Sequence, residues 1–519
     1  MARYCFLGHV DPANLEEYRA RHADVWPELL VALRDADWRN YSLFLRPDGL
    51  LIGYAESDDL DEAQRRVAAT AVNARWQAEM ARLFGAEGAP DEAWEFVPEV
   101  FNLEGQLARA GEAAEVGDGT GAAGMRLVNT HVHVPPNFSA FADASGVIEA
   151  AVAQGVRAVG ISNFFDQQVY ARFASLAADA GVVALFGLEF ITLDPELAAA
   201  GIRINDPANP GRMYLCGKGI DPFRDKPAAA AATAQAIRSG NDARATAMVA
   251  QLAAHFASAG FDTGLTAASI AAEVARRGDV PVEWVSLQER HVAQAFQEAL
   301  AVLPVAERAE VLARAYGGPT AVDLDDPAKL QGELRSRLIK VGTPGFVPEV
   351  PLDFADAYAY VLAMGGIPTY PTLADGVAPV CPFEDPAAEL AQQLLQRRIY
   401  AAELIPIRNT SACVDAYVKA FTDAGIIVMG GTEHNTAERI PLEVTCADGA
   451  LSDEARLAFW EATCVVAAHQ HLVKHGEPGF VDEAGNPVGG DAVARKTELV
   501  RLGAAMIAVP GQETAGDRQ

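Results

Sequence analysis

Glu17-Tyr18-Arg19-Ala20-Arg21-His22-Ala23-Asp24-Val25-Trp26-Pro27-Glu28-Leu29 lies near the start of a chain of 519 residues. Helical spacing puts residues four apart on one face, so a phenol (Tyr18), an imidazole (His22) and an indole (Trp26) line up there. Pro27 follows at once and predicts a break or restart of the helix. A proton-transfer group flanked by aromatic walls is what a sugar-handling site needs. The same stripe also reads as core or interface packing, and the neighbouring segments must decide between the two.

On either side of this stretch the pattern is regular. Arg3–Val10 alternates like a strand, Asn14–Trp26 is helical, and Pro27–Ala36 continues or restarts the helix. Tyr41–Leu45 and Leu50–Glu56 read as strands joined by the turn Arg46-Pro47-Asp48-Gly49. Leu60–Phe84 has helical periodicity, and Trp94–Leu103 reads as a last strand. The order β-α-β-β-α-β predicts an α+β ferredoxin-like domain over 1–104, with helices on one face of its sheet. The other face needs cover, and pairing of two sheets is the common solution. Asn40-Tyr41 and Asn73-Ala74-Arg75-Trp76 add aromatic faces and hydrogen-bonding groups to the set.

These residues resemble the L-rhamnose mutarotase family. The matching pieces are Asn14-Leu15-Glu16-Glu17-Tyr18, Arg21 to Leu29, Asn40-Tyr41-Ser42-Leu43-Phe44-Leu45, Arg75-Trp76 and Pro98-Glu99-Val100-Phe101-Asn102-Leu103. The resemblance implies a homodimeric (dimeric α+β barrel) enzyme that interconverts the anomers of L-rhamnose, or a related deoxyhexose such as fucose, without a cofactor. It implies His22 as the acid/base, Tyr18 as its assistant, and Trp26, Tyr41 and Trp76 as the substrate-binding wall. Mutarotation removes a proton from the anomeric hydroxyl and delivers one to the ring oxygen. An imidazole near neutral pH can do both. His9 stands where the family has an uncharged polar residue; it reads as a surface group.

Residues 105–124 hold six glycines and little large apolar content, which predicts a flexible linker. Beyond it, over 125–508, apolar segments alternate with Ala-rich helices. Arg126–Val134, Ala158–Ser162, Val182–Leu188, Tyr214–Ile220, Ile367–Tyr370, Ile399–Ile405 and Ile426–Gly430 read as strands of a parallel sheet or barrel. A mostly helical insertion is expected at about 225–350, and a disordered tail at 509–519.

Asn129-Thr130-His131-Val132-His133 closes the first of these strands, and alternation puts both imidazoles on one side. Glu189 follows a later strand, Arg290-His291 lies in the insertion, and Gly430-Gly431-Thr432-Glu433-His434 ends a late strand. With Val159 to Asn163, Gly187-Leu188-Glu189, Tyr214 to Asp221, Phe346-Val347-Pro348 and Gly365-Gly366-Ile367-Pro368, these resemble the PHP (polymerase and histidinol phosphatase) family over about 126–440. That implies an α/β distorted seven-stranded barrel and metal-assisted phosphoester hydrolysis. The chain departs from the family at Asn163-Phe164, Tyr214, Tyr370-Pro371-Thr372 and Asn435, where metal ligands are expected. His131, His133, Glu189, Glu433 and His434 remain as candidate ligands, with Asp166 as an extra. Two readings stay open: one divalent metal (Zn, Mn or Fe) in a hydrolase, or a metal-free binding or scaffolding module. His469, His471 and His475 crowd one late helix, with a solvated face as the plain explanation for the last two.

Net charge is −29, from 70 acidic and 41 basic residues. That argues against nucleic acid or an anionic membrane as partner; a small-molecule sugar as partner is what the resemblance to the mutarotases implies. The six cysteines form no CxxC pair and read as reduced thiols of a cytoplasmic protein. Neither a signal peptide nor a membrane span is expected.

Overall fold

The structure is a computed structural model that describes residues 2–84, 94–100, 102 and 125–508. Leu103, the expected linker 105–124 and the expected tail 509–519 lie outside the described residues. The chain divides into two compact units, Met1–Arg109 and Ala110–Gln519.

The first unit runs β1 (Ala2–His9), α1 (Leu15–Ala23), α2 (Pro27–Asp35), β2 (Arg39–Leu45), β3 (Leu50–Ser57), α3 (Leu60–Ala68), α4 (Ala71–Phe84) and β4 (Glu95–Val97). Its antiparallel sheet has the order β2-β3-β1-β4, the ferredoxin-like arrangement. Alternation sorts the two faces. Phe6, Leu51 and Ala55 are buried, whereas Cys5, Leu7, Ile52 and Tyr54, one position away in register, are not, and Phe44 and Val97 are exposed. Gly49 closes the β2–β3 turn at φ 94°, where a Cβ would meet the Val10 carbonyl oxygen at 2.2 Å.

Three sequence expectations need correction. The helix expected over 14–26 ends at Ala23, and Trp26 is instead the extended N-cap residue of α2. The single helix expected over 60–84 is two, because the Thr70 hydroxyl accepts from Asn73 N and starts α4 afresh. The last strand is only Glu95–Val97, and Pro98, which has no N–H to give a ladder, ends it.

In the second unit all seven expected strands are present: β5 (Leu127–Val132), β6 (Val156–Ile161), β7 (Val183–Leu193), β8 (Arg212–Lys218), β10 (Ile367–Thr372), β11 (Ala401–Leu404) and β12 (Ile427–Gly430). A two-residue β9 (Leu352–Asp353) adds to β7. The order β12-β11-β10-β8-β7-β6-β5 curls into a nearly closed barrel. Closure comes just past β12, where Glu433 bridges to Val132 and His133 N donates to Glu433 O at 2.8 Å. Gly431 permits it, since a Cβ there would lie 2.4 Å from that of His131. The sheet is not wholly parallel. β8 runs against both β7 and β10: the chain returns from β7 through a loop that holds the short helix Pro195–Ala199 and is closed at its base by Asp194 N donating to Gly211 O.

The insertion is helical as expected, with helices Ala228–Ser258, Ala267–Gly278, Glu289–Ala301, Val305–Tyr316 and Pro327–Leu334. They enclose a core of their own around Phe256, Phe296 and Leu312. No helix among the described residues is long and apolar enough to cross a membrane.

Candidate functional sites

In the first unit, Tyr18 and His22 face the same way from α1 because they are one turn apart. Their rings stack with centroids 4.0 Å apart. Trp76 of α4 presents its edge to His22 at 5.4 Å, and Trp26 meets Trp76 at 5.3 Å. The sequence expectation of three residues on one helix is thus met differently: Trp26 joins the group through Trp76. Ion pairs of Arg21 with Glu79 and Arg82 with Glu17 tie α1 to α4. Tyr41 is not part of this group. It packs on Trp38 and Phe6 in a neighbouring cluster, with ring distances of 4.7 and 6.2 Å.

His22 Nδ1 donates to the Tyr18 carbonyl oxygen at 3.0 Å, so the neutral ring keeps its lone pair on Nε2. Burial lowers the His22 pKa and the backbone hydrogen bond partly offsets this. Burial pushes the Tyr18 phenol well up, so it stays protonated and can only be a donor to an anion. The arrangement offers one acceptor, one donor and two indole faces.

The second unit gathers a small set of ionisable groups inside the barrel. His131 and His133 leave β5 with their Nε2 atoms 3.4 Å apart, and Glu189 of β7 lies 3.6 Å from His133 Nε2. All three are buried, and each offers a ligand atom within 4.8 Å of the others. Burial, then the neighbouring His131, takes the His133 pKa down to about 3. Burial, then Glu433, raises Glu189 well above the usual carboxylate range. His133 Nδ1 has no hydrogen-bond partner. Two imidazoles and a carboxyl with an orphaned polar atom are costly to bury alone. They fit a divalent ion with positions left for water.

Of the other expected ligands, Glu433 stands beside this group but is paired with Arg408. Burial would raise its carboxyl, and Arg408 with the two histidines holds it low. Glu433 and His434 both adopt left-handed backbone, at φ 60° and 53°. His434 is a correction. Its Nδ1 bonds Thr432 Oγ1 at 2.8 Å and its Nε2 donates to Ile440 O at 2.9 Å, so no ring nitrogen is left for an ion. Asp166 pairs with Arg238 of the insertion at 3.1 Å, away from the group. Asn163 spends its amide on Val134, accepting and donating at 2.8 Å. His291 caps the helix Glu289–Ala301 by accepting from Gln288 N. His469 is buried and bonded to Gly365 O, whereas His471 and His475 are exposed.

Sequence reasoning missed Glu403 and Lys218. Glu403 of β11 accepts from His131 Nδ1 at 2.6 Å, pairs with Lys218 Nζ at 2.7 Å, and accepts from Thr130 Oγ1 at 2.8 Å. Burial alone would raise its carboxyl; the Lys218 ammonium and the His131 ring reverse this and hold it at about 2. The available signal was an acid in the middle of Ala401-Ala402-Glu403-Leu404, a strand otherwise apolar.

The family model described as L-rhamnose mutarotase matches residues 3–103. The L-rhamnose mutarotase of Bacillus subtilis is 35% identical over 105 residues, 20% of this chain and 100% of its own length. That of Oceanobacillus iheyensis is 30% identical over 105 residues, with the same coverage. Among solved structures, a chain of Bifidobacterium adolescentis provisionally described as a metal-dependent phosphoesterase aligns at TM-score 0.45 and 14% identity. It covers 63% of this chain and 94% of its own.

Proposed function

The chain belongs to the L-rhamnose mutarotase family through its first domain, and from this we propose that this domain interconverts the α and β anomers of L-rhamnose or a close 6-deoxyhexose. The observation that carries the reading is a match over the whole length of the relatives. The Tyr18–His22–Trp76–Trp26 group supports it. His22 Nε2 takes the proton of the anomeric hydroxyl and the ring oxygen gains one as its bond to C1 breaks; C1–C2 turns, and on closure that oxygen gives up its proton while the C1 carbonyl oxygen regains one. Tyr18 donates a hydrogen bond to the oxygen that carries negative charge, and the two indoles take the C–H faces of the sugar.

Two first domains pair through the open sheet face in the same reading, supported by exposed Phe44 and Val97 beside half-buried Leu7 and Ile52. Sedimentation would give twice the chain mass. NMR exchange spectroscopy on L-rhamnose tests the activity: exchange no faster than the spontaneous rate would sink it.

The barrel is read as a metal-dependent hydrolase of anionic esters. His131, His133 and Glu189 would hold a divalent ion, which when bound supplies an activated water and polarises the ester. Glu403 orients His131 by holding its Nδ1–H, which leaves Nε2 as the ligand atom. Arg408 and Arg290 stand close enough to Glu433 to feel its charge, and they suit a phosphate. Metal analysis of the purified chain tests this. No stoichiometric Zn, Mn or Fe in wild type, with His131→Ala unchanged, would favour the metal-free binding module instead.

A further inference from the structure

We propose that Lys218 is a built-in cation: its ammonium fills the place in the barrel that a second metal ion would take, and limits the cluster to one ion. This rests on the reading of His131, His133 and Glu189 as ligands.

β8 runs against its neighbours, so Lys218, its last residue, lies beside Ile367, the first residue of β10. From there its side chain reaches into the barrel interior, where it is 3% exposed. A lysine is almost never buried so deeply unless paired. Its three N–H donors meet three oxygens: Thr130 O at 2.8 Å, Ser162 Oγ at 2.8 Å and Glu403 Oε1 at 2.7 Å. Carbonyl and carboxylate oxygens are also the donors that hard divalent ions take. His131, Cys216 and Glu403 each offer a ligand atom within 4.8 Å of the others, and Glu403 is the carboxylate the ammonium already pairs with. An ion on Glu403 Oε1 and the ammonium would compete for the same oxygen.

The barrel therefore has two positions for positive charge, joined by His131. The lysine occupies one permanently. Glu403 consequently keeps a cation on one oxygen and the His131 Nδ1–H on the other, whether or not the first position is filled. Lys218 is a positioning residue: it acts through Glu403 on the direction in which His131 presents Nε2.

The test uses the full chain, stripped with chelator and titrated with Mn²⁺. Bound ion is counted from the loss of the free Mn²⁺ EPR signal, and thermal unfolding is followed in parallel. Wild type binds one equivalent. Lys218→Met binds two, unfolds at lower temperature when stripped, and recovers with the second equivalent. Lys218→Met with Glu403→Gln returns to one. If Lys218→Met does not fold, Lys218→Gln, which keeps an N–H donor, is read the same way. Two equivalents in wild type, or one in every variant, overturn the proposal. No Mn²⁺ in wild type but one equivalent in Lys218→Met keeps the lysine's role and discards the His131–His133–Glu189 reading. None in either discards both.

Discussion

The first domain and the barrel place histidines in opposite surroundings. His22 is half-buried among aromatic rings, and its Nδ1 donates to a backbone carbonyl. His131 and His133 are fully buried among carboxyls and an ammonium, each facing the other. Burial lowers the pKa of both His22 and His133. With its pKa lowered from the ordinary value of 6.5, His22 is a neutral ring at pH 7 and can accept a proton. His133, at about 3, is locked neutral and is useful only as a lone pair. In the proposed reading one residue type serves proton transfer in one domain and ion binding in the other, and burial is the largest cause of the pKa shift of both His22 and His133.

The harshest way to break this contrast is Glu403→Ala. It strands the Lys218 ammonium in the barrel, and a destabilisation of about 3–5 kcal/mol is expected. Chemical denaturation would detect it as an early transition of the barrel, while anomer exchange by the first domain persists. Loss of both together would mean that the two domains do not act independently. Tyr18→Phe removes one hydrogen-bond donor and keeps the ring stack. It should slow exchange about tenfold, the cost of one hydrogen bond to a charged group; an unchanged rate would reduce Tyr18 to a wall.

The pH profile is a gentler probe. The working form of His22 is the neutral ring, and burial lowers its pKa from the ordinary value of 6.5. Exchange should therefore stay level through neutrality and fall only as pH drops below that value. A fall centred above it would place a negative charge beside His22 that the described residues do not supply. At the small end, His434→Gln should leave metal content unchanged and Tyr41→Phe should leave exchange unchanged. Either one failing would return that residue to its site.

Much of this was legible because it is periodic. The β-α-β-β-α-β order, the seven strands of the barrel, and the His131–His133 pair follow from alternation and helical spacing, while Glu189 entered through the resemblance to the PHP family. What escaped depended on contacts between distant segments. Trp26 was expected on one helix with His22, yet it reaches the site through Trp76, fifty residues on. His434 carried the right chemistry, but a left-handed backbone turns its ring toward Thr432 and Ile440. Lys218 and Glu403 lie far apart in the chain, and only the antiparallel course of β8 brings the ammonium under β11. A charge inside an apolar strand was the visible hint, with nothing in the local pattern to name its partner.

The most direct test of the account is anomer exchange of L-rhamnose by the full chain, measured by NMR with and without chelator, beside His22→Ala. Exchange well above the spontaneous rate, indifferent to chelator and reduced by about 10²- to 10⁴-fold in His22→Ala, is the predicted result. Exchange that survives His22→Ala, or that disappears with the metal, would contradict it.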